Sequence, residues 1–194
     1  YQRRVVCLMY RSRYPQETRS IYILLMRTDT YFSRLIHFVS AEEYTHASLC
    51  LDGSLQQFYS FGRKNSYLMF PAGFVQEELD RGIFQRFPEI PCALYELQVP
   101  LPVYEKIVQR IMLMRYSQSE YHYNCLGVLL CKLGLAHQRQ YHYFCSQFVA
   151  DVLQRSGALE FSKEASLVQP GDFRHLPQLQ LRYQGQLNQL RSAF

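Results

Sequence analysis

The stretch "YHYFCSQFVADVL", residues 141–153, sets a cysteine between an aromatic run and a helical pattern. Cys145, Val149, Val152 and Leu153 fall on one helix face, and Gly157 stands in the helix-terminating position. Cys145 therefore sits in the first turn of the predicted helix. Three chemistries are open to it there: packing as a small buried apolar side chain, metal ligation, or nucleophilic attack.

Metal ligation has the right residue types nearby. His122, Cys125, Cys131, His137, His142 and Cys145 crowd together. Their spacing is wrong for a structural zinc site, because no Cys-x-x-Cys pair occurs and Cys125 and Cys131 belong to an apolar helix, "CLGVLLCKLGLA". Tyrosines flank both His122 and His142, so aromatic packing is the simpler role for them. No metal and no cofactor is expected.

Nucleophilic attack needs a thiolate at neutral pH, and the positive end of a helix and a nearby imidazole are two devices that supply it. His46, in "YTHASLCL", is the histidine placed for this. On a strand His46, Ser48 and Cys50 share one face while Ala47, Leu49 and Leu51 share the other, so a polar face carrying a histidine backs onto an apolar one.

Working outward, "SIYILLMR" (20–27) and "CALYELQV" (92–99) read as strands. "TDTYFSRLIHFVS" reads as a helix carrying His37. Residues 44–64 form two β-rich runs around Asp52-Gly53, a two-residue hairpin signal. "PAGFV" and "DRGIFQRF" read as turn residues and short strands. "VYEKIVQRIMLMRYSQ" is a helix with Ile107, Ile111 and Met114 as its inner stripe, and the apolar 125–136 stretch predicts a shorter, buried helix capped by Asn124. "LQLRYQGQLNQL" reads as a last strand or hairpin. The sum is an α+β fold, with residues 20–194 as one domain and residues 1–19 as a basic flank or edge strand.

The chain has 194 residues, 48% of them hydrophobic and 19% charged, which is globular composition. A net charge of +5 is spread without a Lys/Arg block, which argues against a nucleic-acid partner. No apolar run approaches the ~20 residues of a membrane span. Six cysteines in a chain long enough to bury its own core are expected to be free thiols, which favours the cytoplasm; removal of an N-terminal signal would place the protein outside it.

Taken together, "YTHASL", the Asp52-Gly53 hairpin, "YHYNCLG" and "YFCSQFVADVL" resemble the circularly permuted papain-like superfamily, over roughly residues 20–176. These are permuted relatives of NlpC-type cell-wall peptidases, a group that includes lecithin:retinol acyltransferase and deubiquitinating-type isopeptidases. "EEYTHASLCLD", "FYSFGRK" and "HYFCSQFVADVL" look like a bacterial branch of it. The resemblance implies an antiparallel sheet packed against a helical subdomain that carries the cysteine helix. It implies Cys145 as nucleophile, His46 as general base, and a peptide, cell-wall or acyl-lipid substrate.

It also implies a third polar group on the strand after the histidine strand. A two-residue turn at Asp52-Gly53 sets Tyr59 opposite His46 with Gln57 on the same face, and a three-residue turn sets Ser60 opposite instead. Gln57 and Ser60 are the expected partners, although neither stabilises an imidazolium as a carboxylate does. The backbone N–H of Cys145 is the expected oxyanion donor, with Tyr44 as a second. The rival expectations are a catalytically inactive module that keeps the scaffold for binding, and a zinc-stabilised structural domain.

Overall fold

In the computed structural model the described residues are 17–27, 43–65, 71–79, 81–86 and 88–193. The helix expected over 28–40, with His37, and the flank up to residue 16 lie outside them.

Among the described residues eight strands form one sheet in the order β7-β6-β4-β3-β2-β1-β5-β8. They are β1 (Thr18–Met26), β2 (His46–Cys50), β3 (Phe58–Arg63), β4 (Ala72–Glu77), β5 (Pro91–Pro100), β6 (His122–Tyr123), β7 (His142–Tyr143) and β8 (Gln180–Gln186). All neighbours are antiparallel except β6 and β7. Among the described residues four α-helices accompany the sheet: α1 (Gly82–Arg86), α2 (Leu101–Tyr116), α3 (Cys125–Lys132) and α4 (Cys145–Ser156). The fold is mixed α and β with a mostly antiparallel sheet.

The uninterrupted apolar run in β1 follows from burial on both faces, since a strand covered on two sides has no solvent side to make polar. Ile21, Ile23 and Leu25 join the core beneath α2 and α4, while Tyr22, Leu24 and Met26 join a second core with Phe84, Ile90, Leu187 and Leu190. β2 divides as its alternation predicts: Ala47, Leu49 and Leu51 enter the first core and Cys50 the second.

Ile107, Ile111 and Met114 are the buried residues of α2, as its stripe implies. Helix α4 lies on the sheet with Phe148, Val149, Val152 and Leu153 fully buried. It ends where Gly157 adopts φ +80°, a left-handed turn that costs a glycine nothing. Asp151 ties it to α2 by accepting from Arg110 at 2.7 Å, and to its own last turn through Arg155 at 2.7 Å.

Three expectations are corrected. "DRGIFQRF" holds the short helix α1 rather than a strand. The β2–β3 connection is a wide loop, with Leu49 opposite Tyr59 and Cys50 opposite Phe58, not a two- or three-residue turn. An Asx turn, Ser54 N–H to Asp52 Oδ1 at 2.8 Å, starts the loop, and Leu55 plugs into the second core at φ +50°. Helix α3 buries only Gly127, Val128 and Cys131; Leu126 and Leu129 point outward. A helix apolar on nearly every side gives no pattern from which to choose the inner face.

Candidate active site

Cys145 is the first residue of α4, and the preceding Phe144 offers no side-chain acceptor to cap it. The first N–H groups of a helix have no intrahelical partner. No cap side chain takes them here, and the backbone N–H groups of Ala47 and Ser146 help to lower the Cys145 pKa. The thiol itself points to the Thr45 carbonyl, with Sγ 4.0 Å from the oxygen.

The placement of that helix start depends on the doubled "YHY" triplets. β6 and β7 form a two-residue parallel ladder, His122 beside His142 and Tyr123 beside Tyr143, and each strand runs directly into a helix. The two imidazoles meet at a tilt of 45° with centroids 5.2 Å apart. Asn124 accepts from the Gly127 N–H at 2.9 Å and reaches the Gln147 side chain at 3.5 Å, while Gln147 accepts from the Phe144 N–H at 3.3 Å. One amide pair thus fastens the starts of α3 and α4 together. Gly127 is required for it, because a Cβ there would lie 2.2 Å from Asn124 Nδ2. Asn124 caps α3 as expected. Among the described residues no group of three His, Cys, Asp or Glu side chains converges as a metal site would.

His46 opens β2, next in the chain to Thr45, whose carbonyl faces the Cys145 thiol, and it lies close enough to that thiol for each to shift the other's pKa. Its Nε2 lies 2.9 Å from Glu77 Oε1 and 3.3 Å from Oε2. With Nε2 taken by the carboxylate, Nδ1 is the nitrogen left to serve the thiol. Ser48 donates to Glu77 Oε2 at 2.5 Å and fixes the carboxylate in turn. Both His46 and Glu77 have side chains only 13% exposed, so their attraction is weakly screened.

The electrostatics favour charge on both the imidazole and the thiol. Burial by itself would lower the His46 pKa, but the Glu77 charge and hydrogen bonds to Cys145 and Glu77 raise it from 6.5 to about 10. Burial by itself would raise the Cys145 thiol; the His46 hydrogen bond and charge, with the Ala47 and Ser146 N–H groups, lower it instead. A raised imidazole and a lowered thiol describe a thiolate–imidazolium pair with Glu77 behind it. The other described cysteines contrast with this one: burial raises Cys50, Cys92, Cys125 and Cys131. All five are free thiols.

The remaining expected residues fall elsewhere. Ser60 is fully buried and donates to the Ala47 carbonyl at 2.7 Å, and Gln57 accepts from the Tyr59 hydroxyl at 3.3 Å. The group on the His46 imidazole is the Glu77 carboxylate, not Ser60 or Gln57. The residue-by-residue pairing Cys50–Phe58–Glu77 puts Glu77 on the face of His46 and Ser48. A recognised β4 running on to residue 77 would have pointed to it. Tyr44 lines the same cavity as Cys145, but its hydroxyl accepts from Gln184 Nε2 at 3.4 Å and the Arg174 guanidinium sits over its ring at 5.5 Å. Its hydroxyl is thus engaged away from an oxyanion. Tyr123, unremarked in the sequence, faces the same cavity, and burial and the Cys145 charge raise its pKa.

That cavity, about 30 Å³, is lined by Tyr44, Tyr123, Val128, Phe144 and Cys145, and Lys132 closes one side by donating to Gln169 Oε1 at 2.5 Å. No protein-family model matches the chain, and no curated protein matches it.

Proposed function

We propose that the protein is a cysteine-dependent acyl-transfer enzyme of permuted papain-like fold, acting on an amide, isopeptide or ester. One observation carries the reading: a single imidazole stands between a helix-N-terminal thiol and a mostly buried carboxylate. A cysteine that only filled space would need neither partner, and a carboxylate this close to an imidazole is costly to bury without a use for the charge.

The thiolate of Cys145 attacks the carbonyl carbon, forming a C–S bond and a tetrahedral oxyanion. The Cys145 N–H at the helix start stabilises that oxygen. The His46 imidazolium gives its proton to the leaving amine or alcohol as the C–N or C–O bond breaks, which leaves a thioester and neutral imidazole. His46 then takes a proton from water or an acceptor amine as it attacks, and the C–S bond breaks to restore thiolate and imidazolium. Glu77 orients the ring through Nε2 and stabilises its cationic form throughout.

Alkylation by iodoacetamide across pH tests this reading. Cys145 should react readily below pH 7, and His46→Ala should slow the reaction there. A Cys145 that stays unlabelled until the protein is denatured would instead mark an inert binding module.

A further inference from the structure

The doubled "YHY" triplets serve the first core through their tyrosines, since Tyr121, Tyr123 and Tyr143 pack against it. Strand alternation turns His122 and His142 to the opposite face, side by side in the parallel ladder. The His122 ring is exposed and makes no hydrogen bond among the described residues. His142 is held through Nδ1, which lies 2.8 Å from the Gln140 carbonyl oxygen. A carbonyl only accepts, so Nδ1 carries the proton and Nε2 keeps its lone pair. Histidines that ligate a metal are fixed in this way, by donating the second ring N–H to a carbonyl or carboxylate.

We propose that His122 and His142 form a binding site for a divalent transition-metal ion such as Zn²⁺, held by two imidazole nitrogens and completed by water. The ring separation carries the proposal. An imidazole bound at ~2.1 Å through one nitrogen has its centre roughly 3.2 Å from the metal, so two at the tetrahedral angle stand about 5.2 Å apart. The observed centroid distance is 5.2 Å. The exposed His122 ring can turn about χ2, a torsion with broad wells, to aim a nitrogen at the ion while its centre stays in place. Nitrogen donors suit zinc, copper and nickel, whereas magnesium and calcium take oxygen. Charged residues do surround the pair: Lys64 lies over Gly73, the strand neighbour of His122, Arg139 is bridged to His142, and Glu120 precedes β6. All three are exposed, so water and salt weaken their net repulsion of the ion. With two protein ligands the site is open, unlike the closed four-ligand zinc site that the cysteine spacing argues against. Because β6 and β7 run directly into α3 and α4, a shared ion adds a second tie between the helix starts that Asn124 and Gln147 already join.

Calorimetric titration of the full chain with zinc chloride tests the site, performed on Cys145→Ala so that the Cys145–His46 pair cannot serve as a rival set of ligands. Zinc should bind this variant and raise its melting temperature, because an ion held only by the folded chain stabilises it. His122→Ala and His142→Ala, each added to it, should weaken binding at least roughly tenfold, since losing even an outer partner of a metal ligand costs that much. Each should also abolish the zinc-dependent rise in melting temperature. His122→Cys, which puts a thiolate in the same place, should retain the binding and so separates a lost ligand from a disturbed fold. His175→Ala, at another exposed histidine, should change neither readout. Zinc binding that is undiminished in both single histidine variants would overturn the proposal. So would binding to the wild-type chain that disappears in Cys145→Ala, because the ion would then belong to the thiol.

Discussion

Glu77→Gln removes one charge and almost nothing else. The amide has the carboxylate's size and keeps an oxygen to accept from Ser48, so the fold and the approach to His46 are preserved. What is lost is a charge-assisted hydrogen bond at 2.9 Å to a ring that is mostly buried. Such bonds contribute about 2–3 kcal/mol to the charged form, equivalent to roughly 1.5–2 units of imidazole pKa. Because the thiolate depends on that imidazolium, the Cys145 pKa must rise in step. Iodoacetamide labelling at pH 6 should therefore slow, by at most roughly thirty- to a hundredfold, and the difference should vanish at alkaline pH, where the thiol ionises unaided. Circular dichroism should show an unchanged fold. An unaltered labelling profile in Glu77→Gln would refute the argument that the carboxylate sustains the ion pair.

Three further outcomes follow from the geometry. Asn124→Ala should destabilise the protein by about 1–2 kcal/mol in urea unfolding, through loss of the α3 cap and of the contact to Gln147. Lys132→Met should speed labelling of Cys145 by a bulky maleimide more than by iodoacetamide, because the Lys132–Gln169 bond closes one side of the cavity. The last concerns pH and stability. In the unfolded chain His46 and Cys145 titrate near their ordinary values of 6.5 and 9.0, whereas folding raises the first to about 10 and lowers the second. Where the pH lies above both 6.5 and the lowered thiol pKa and below 9, the folded pair holds one proton on the imidazole and the unfolded pair holds one on the thiol, so neither state takes up protons relative to the other and the pair's contribution to the melting temperature should be flat. Above 9 the folded state binds the extra proton and stability falls as pH rises. In Cys145→Ala only the raised imidazole remains, so its melting temperature relative to wild type should decline as pH rises from 6.5 to 9.

The helix carrying Cys145 and the strand carrying His46 were legible in the sequence because periodicity and a terminal glycine mark local structure. Glu77 was not. Its role depends on strand register across β2, β3 and β4, and that register is set by a wide loop whose Leu55 plug has no local signature. "VQEELD" also offers several polar residues with nothing to single one out. Helix α3 was misjudged for the opposite reason, since its composition is so uniformly apolar that no face stands apart. β6 and β7 are too short for any alternation to register, although their repeated triplet was visible as a repeat.

The order of the strands has a consequence for the chain while it is being made. The site draws on β2, β4 and the start of α4, and the last of these is synthesised far behind the others. Contacts that span such separations form late in folding. Until α4 reaches β2, Cys145 has no imidazole beside it and remains an ordinary thiol. On the proposed reading, reactivity thus arrives only once α4 has docked on β2, and a growing or half-folded chain carries this thiol in a dormant form.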